Sequence, residues 1–167
     1  LQQTLMEDDC WLPWHTREVP ELSLNAQLSC DTGDVEQVRS GIDRPSGDAS
    51  NSWCGPKGSA ITYASAGETT LKEARIVFDS NLNRGSKNMR HYYSLNDDPW
   101  IVPDTITRCF RIESQRQDGH WEVVFRESNN YQRLVRVPLK LRTKGIRLVP
   151  ESTWGAEQVR VFSFDVR

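Results

Sequence analysis

The residues best suited to chemistry in this chain lie in polar loops that carry aromatic side chains. Residues 41–53, GIDRPSGDASNSW, form a Gly/Pro/Asp-rich loop ending in Trp53. Residues 75–84, RIVFDSNLNR, run from a strand-like segment straight into a second polar loop. Further on, Trp100 stands near Asn96 and Asp97, Tyr92 next to Tyr93, Tyr131 after Asn129 and Asn130, and Trp154 near Glu151. An aromatic ring beside Asn, Asp, Glu or Arg suits a sugar. The ring packs on the flat apolar face of the pyranose, and the planar polar groups bond its hydroxyls. Glycan or oligosaccharide binding through Tyr92, Tyr93, Trp100, Asn130, Tyr131 and Trp154 is therefore the leading expectation. Asp79, Asn81, Asn83 and Arg84 form a polar array just past a strand, either presenting groups to a ligand or holding turns.

Catalytic patterns are missing. There is no G-x-S-x-G, no Gly-rich phosphate loop after a strand and no H-E-x-x-H. His15, His91 and His120 are scattered, and the adjacent acids Asp8–Asp9 and Asp97–Asp98 read as loop residues. The expectation is a non-catalytic domain. Cys10, Cys30, Cys54 and Cys109 include no C-x-x-C and have no His at zinc spacing, so disulfides and free thiols both stay open.

These loops need a scaffold, and the apolar alternation supplies one. Strand-like segments are expected at 24–30, 60–64, 71–78, 108–114, 121–127, 133–139, 145–149 and 158–166. In 121–127 the pattern puts Trp121, Val123 and Phe125 on one core face. Asp118–Gly119 supplies a hairpin turn, and Lys144–Gly145 a similar break. A short helix is expected over 33–40, capped by Asp31 or Thr32 and stopped by Gly41. About eight strands with little helix give an all-β, antiparallel β-sandwich of jelly-roll type. Residues 1–23 read as a lead-in packed on a single domain spanning 24–167. The chain has no initiator Met, which is read as the end of a longer or processed protein.

Charge is divided along the chain. Residues 1–104 carry nine Lys/Arg against sixteen Asp/Glu, and residues 105–167 twelve against seven. The basic residues of the second half alternate with apolar ones, as in Arg108, Phe110 and Ile112. They are expected to decorate a sheet face, with nucleic acid not a partner. No apolar run approaches the ~18 residues of a membrane span, so no membrane partner is expected.

Several stretches resemble the C-terminal region of a family of bacterial FAD-dependent oxidoreductases. They are 8–18 (DDCWLPWHTRE), 41–45 (GIDRP), 75–84, 110–115 (FRIESQ), 129–139 (NNYQRLVRVPL) and 147–166 (RLVPESTWGAEQVRVFSFDV). The resemblance implies an accessory domain of a larger enzyme. FAD would then be held only by an upstream domain, since G-x-G-x-x-G is absent here. It leaves open an interaction or oligomerisation domain packed on the flavin domain, or one lending Arg84 or Tyr93 to the active site. The layout also resembles galactose-binding and discoidin-like carbohydrate-binding modules. That likeness implies a structural calcium in the loop before Trp53, with Asp43 and Asp48 as oxygen donors.

Overall fold

A computed structural model of the chain describes residues 16–81 and 102–167. In chain order these form α1 (Glu21–Asn25), β1 (Gln27–Cys30), a 3-10 turn (Glu36–Arg39), β2 (Trp53–Pro56), β3 (Ile61–Phe78), β4 (Thr107–Gln115), β5 (Trp121–Glu127), β6 (Leu134–Thr153) and β7 (Gln158–Val166). All strand pairings are antiparallel, in the order β2-β7-β3-β6-β4-β5, with β1 on the free side of β3. The all-β expectation holds.

Two long strands make one hydrogen-bonded sheet into two layers. The second half of β3 (74–78) pairs with β7, while its first half (61–64) pairs with β1. β6 gives its first half to β3 alone and its second half to both β3 and β4. Between these halves the β3–β6 register slips at Ala64/Thr69 and again at Leu71/Glu73. Such irregularities bend and twist a strand, and here they carry the chain from one layer to the other. Tyr63 and Phe164 then meet at 5.4 Å, and Phe78 and Phe110 at 5.2 Å. The Tyr63 hydroxyl donates to the Phe164 carbonyl at 2.8 Å, so its polar end is satisfied inside the core.

The segments expected at 60–64 and 71–78 are thus one strand, as are those at 133–139 and 145–149. Lys144–Gly145 is a bend within β6, not a break. A Cβ on Gly145 would come 3.0 Å from the Trp121 ring, which explains the glycine. The first expected strand begins late, because residues 21–25 form α1. Arg39 closes that helix by donating to the carbonyls of Ser23, Leu24 and Ala26. The helix expected over 33–40 shrinks to one 3-10 turn with Val35 at its N-cap; neither Asp31 nor Thr32 caps it, and the Asp34 carboxylate accepts from the Glu36 N–H. The short strand β2 had no sequence signal, since four residues holding Gly55 and Pro56 show no alternation. The hairpin at Asp118–Gly119 forms as expected, with Gly119 at φ 87°.

One face assignment reverses. The β4–β5 register slips between Ile112 and Glu113, so Phe125 lies opposite Ile112 but Val123 lies opposite Glu113. A one-residue slip sends every later side chain to the other face. Phe125 stays in the core against Phe110, at 5.8 Å. Trp121 and Val123 turn outward. Trp121 is half-buried, with the Arg147 guanidinium 4.4 Å above its ring, and Val123 is exposed.

Candidate functional site

Three of the residues expected to bind ligand meet at one rim of the sandwich: Asn130, Tyr131 and Trp154. Trp154 follows the end of β6, and its backbone N–H donates to the Ile106 carbonyl at 3.2 Å. Gly155 and Ala156 both donate to the Asp104 carbonyl at 3.1 Å. A Cβ on Gly155 would fall 2.8 Å from the Asp104 carboxyl carbon, so a side chain there would have to displace that carboxyl. The Trp154 indole N–H donates to the Asn130 carbonyl at 2.7 Å, which fixes the ring.

Asn130 is buried. Its amide donates to the carbonyls of Thr107 (2.8 Å) and Gln132 (3.0 Å), and its carbonyl oxygen accepts from the Gln132 N–H. Its side-chain groups are thus engaged in shaping the loop, and its role is to position Tyr131 and Trp154. Tyr131 is 64% exposed. Among the described residues the exposed large hydrophobic side chains are Leu24, Val123, Val124 and Tyr131, and Tyr131 is the most exposed of them.

A residue read from the sequence as surface decoration completes the rim. The Arg108 guanidinium lies 4.7 Å above the Trp154 ring, and the Arg108 carbonyl accepts from the Asn130 N–H at 2.9 Å. No local sequence signal marks it, because the partnership joins two strand ends 46 positions apart in the chain. Asp79 lies nearby: its backbone N–H donates to the Arg160 carbonyl, and its carboxylate caps the Asn81 N–H at 2.7 Å. Asn81 takes φ 55°, as turn-forming Asn does, so Asp79 and Asn81 hold a turn. Arg84, Tyr92, Tyr93 and Trp100 lie outside the described residues, as does Asn83.

The calcium expectation meets a different chemistry. Asp43 is buried, and its carboxylate accepts from Arg17 Nε (3.1 and 3.2 Å) and from Arg75 Nη2 (2.7 Å). Two guanidinium groups repel a cation where a calcium would have to sit. Asp48 is exposed, and it lies in the tight turn closed by the Ser46 and Ala49 backbone groups. These two residues do not fit a calcium pair. Among the described residues no three His, Cys, Asp or Glu side chains converge as a metal site.

Asp43 belongs instead to an ion cluster on the outer face of the β3–β7 layer. Arg17 Nη1 also reaches Asp165 at 2.7 Å, and Arg75 Nη1 lies 3.7 Å from the same carboxylate. The Ser163 hydroxyl bonds Asp165 at 3.0 Å and accepts from Arg17. Burial pushes the Asp43 carboxyl up, but Arg75 and Arg17 outweigh it and leave it below the usual carboxylate range. For Asp165 burial wins over Arg17, Ser163 and Arg75, and its carboxyl sits above that range.

Trp53 is fully buried, with its indole N–H donating to the Thr32 carbonyl at 2.8 Å, so it is core and not a ring on display. Beside it, Asp34, Gln37, Ser50, Asn51 and Ser52 line a polar cleft of about 370 Å³. Cys30, Cys54 and Cys109 are free thiols.

No protein-family model matches the chain, and no curated protein matches it either. Solved structures do. A family 32 carbohydrate-binding module of Streptococcus pneumoniae EndoD superposes with a TM-score of 0.64 at 12% identity, over 87% of this chain and 97% of that one. The family 32 module of AlyQ, in complex with 4,5-unsaturated mannuronic acid, gives 0.59 at 11% identity, over 84% and 93%. The family 32 module of C. perfringens NanJ, in complex with galactose, gives 0.58 at 8% identity, over 87% and 95%. This chain has the fold of those modules. The likeness bears out the all-β, jelly-roll-like sandwich, and at these identities it speaks for the fold alone.

Proposed function

We propose that the chain is a non-catalytic glycan-binding module whose contact surface is the rim of Tyr131, Trp154 and Arg108. The observation that carries this reading is the placement of an exposed Tyr, a hydrogen-bond-anchored Trp and a stacked guanidinium at one rim. Aromatic faces and planar donors are what a pyranose ring requires. The fold supports it, since the NanJ and AlyQ modules of the same architecture were captured with galactose and an unsaturated mannuronic acid. Arg84, Tyr92, Tyr93 and Trp100, the other ligand contacts expected from the sequence, stay in the proposal as further candidates.

The module is accessory to a larger bacterial enzyme in this reading. The resemblance of 129–139 and 147–166 to an FAD-dependent oxidoreductase region supports that parent, with any flavin held upstream.

A glycan array followed by calorimetry on the 167-residue chain tests the proposal. Tyr131→Ala is expected to weaken binding by about 2 kcal/mol, roughly thirtyfold in Kd, as loss of a central aromatic contact does. Trp154→Ala should lose at least as much, because it also releases the anchor on Asn130. Tyr131 is the cleaner probe, since its exposed ring adds little to folding. An array with no bound glycan, or an unchanged Kd in Tyr131→Ala, rejects the rim as a sugar site.

A further inference from the structure

The rim carries a cation that has no anion beside it among the described residues. Three arginines lie over aromatic rings: Arg108 on Trp154 at 4.7 Å, Arg147 on Trp121 at 4.4 Å and Arg133 on Phe162 at 5.6 Å. Arg147 also bonds the Glu113 carboxylate, and Arg133 donates to the Asp43 carbonyl. Arg108 has neither an acceptor nor an ion-pair partner among the described residues. Among the described residues its side chain makes the ring contact and no polar one.

Two nearby carboxylates are engaged elsewhere. Glu127, at the end of the neighbouring strand, accepts from the backbone N–H groups of Ser128 and Asn129 at 2.9 and 2.8 Å. Glu151 is taken by Arg111 and Arg126. Elsewhere this protein pairs its arginines heavily, with ion pairs at Arg17, Arg39, Arg75, Arg111, Arg116, Arg126, Arg136, Arg142, Arg147, Arg160 and Arg167. Among the described residues Arg44 and Arg108 have no ion pair, and Arg108 is the one that stands at the rim exposing Tyr131.

We infer that Arg108 is the specificity-determining residue of the rim and selects glycans bearing an anionic group, a uronate carboxylate or a sulfate ester. The inference rests on the glycan reading above and narrows it to a ligand class. A guanidinium laid on a ring keeps its plane fixed and its N–H donors along its edge. That geometry matches the two oxygens of a carboxylate or sulfate. The indole face holds the cation without neutralising it. The sugar ring then lies against Tyr131, with the acidic substituent turned toward Arg108. A ligand carboxylate or sulfate supplies the acceptor that the described residues do not.

The test compares four probes on the full chain at about 0.15 M salt: oligogalacturonate, a sulfated galactan oligosaccharide, the neutral galactan oligosaccharide and polyglutamate. One or both acidic sugars should bind about tenfold or more tightly than the neutral one, and which of them does so separates carboxylate from sulfate. Arg108→Gln should collapse that ratio toward one, and Arg108→Lys should restore it in part, since a point charge lacks the fork. Arg116→Gln, an exposed arginine paired with Glu122 past the other end of β4, should keep the ratio. Equal affinity for acidic and neutral sugars overturns the inference and leaves the glycan reading standing. Binding of no sugar overturns both. A ratio that survives Arg108→Gln, falls equally in Arg116→Gln, or is matched by polyglutamate also overturns it.

Discussion

Replacing Arg75 with Met is expected to destabilise the fold by about 3–5 kcal/mol, measured by denaturant unfolding. Arg75 is 5% exposed and Asp165 2% exposed. The substitution keeps the volume of the chain's stem but leaves Asp43 and Asp165 sharing Arg17 alone. Breaking one side of a buried charge cluster leaves uncompensated charge, which costs far more than the intact pairs contribute over apolar replacements. The location raises the effect. Arg17 belongs to the lead-in, Asp43 to the 41–53 loop, Arg75 to β3 and Asp165 to β7. The four converge here on a clasp that pins the lead-in and the first loop onto the sheet. Adding Asp165→Asn to Arg75→Met should recover part of the loss, because one of the two competing carboxylates is then neutral. A loss below about 1 kcal/mol in Arg75→Met contradicts the clasp.

The same cluster sets a pH dependence with a definite sign. Asp43 is held below its ordinary value when folded, so its contribution is present above the unfolded carboxylate value of about 4. It is lost as pH falls through the folded value. Asp165 shifts the other way, so its ionisation costs stability as pH rises through its raised value. Asp43→Asn should therefore cost more at neutral pH than Asp165→Asn, and should flatten the acid limb of a Tm-against-pH curve. The reverse order would contradict the assignment.

The parts of this fold that obey a short period were legible in the sequence. Alternation located most strand segments, because a half-buried strand must repeat every second residue. The Asp118–Gly119 turn was legible for a local reason as well. The bends of β3 and β6 and the β4–β5 slip were not, since a bulge at Ala64/Thr69 or Ile112/Glu113 is chosen by the partner strand. That is why Trp121 was placed on the wrong face. Asp43 looked like a cation ligand because the sequence shows its carboxylate but not Arg17 and Arg75, 26 and 32 positions away. Tyr131 and Trp154 were readable as rim aromatics from their loop neighbours. Arg108 was not, because only the folded chain lays it on Trp154.

Trp53→Ala is the other substitution expected to cost about 3–5 kcal/mol, by cavity formation at a fully buried site. The ring is wedged from several sides. The neighbouring Gly55 leaves space that a Cβ would take to within 2.3 Å of the ring, and Gly33 lies along its indole N–H edge. Its N–H holds the Thr32 carbonyl, tying β2 to the turn after β1. Trp53→Phe keeps most of the apolar bulk but drops that donor, and should cost less, about 1–2 kcal/mol. The loss in Trp53→Ala is a large fraction of the ~5–15 kcal/mol that holds a domain of this kind. Sugar binding should separate from it. The Tyr131–Trp154–Arg108 rim is built on the ends of β4 and β6 by bonds that do not involve Trp53. Calorimetry on the folded fraction of Trp53→Ala is therefore expected to show a Kd within about threefold of the parent. Full stability with lost binding would instead make Trp53 a contact residue and move the site to the cleft between Asp34 and Asn51.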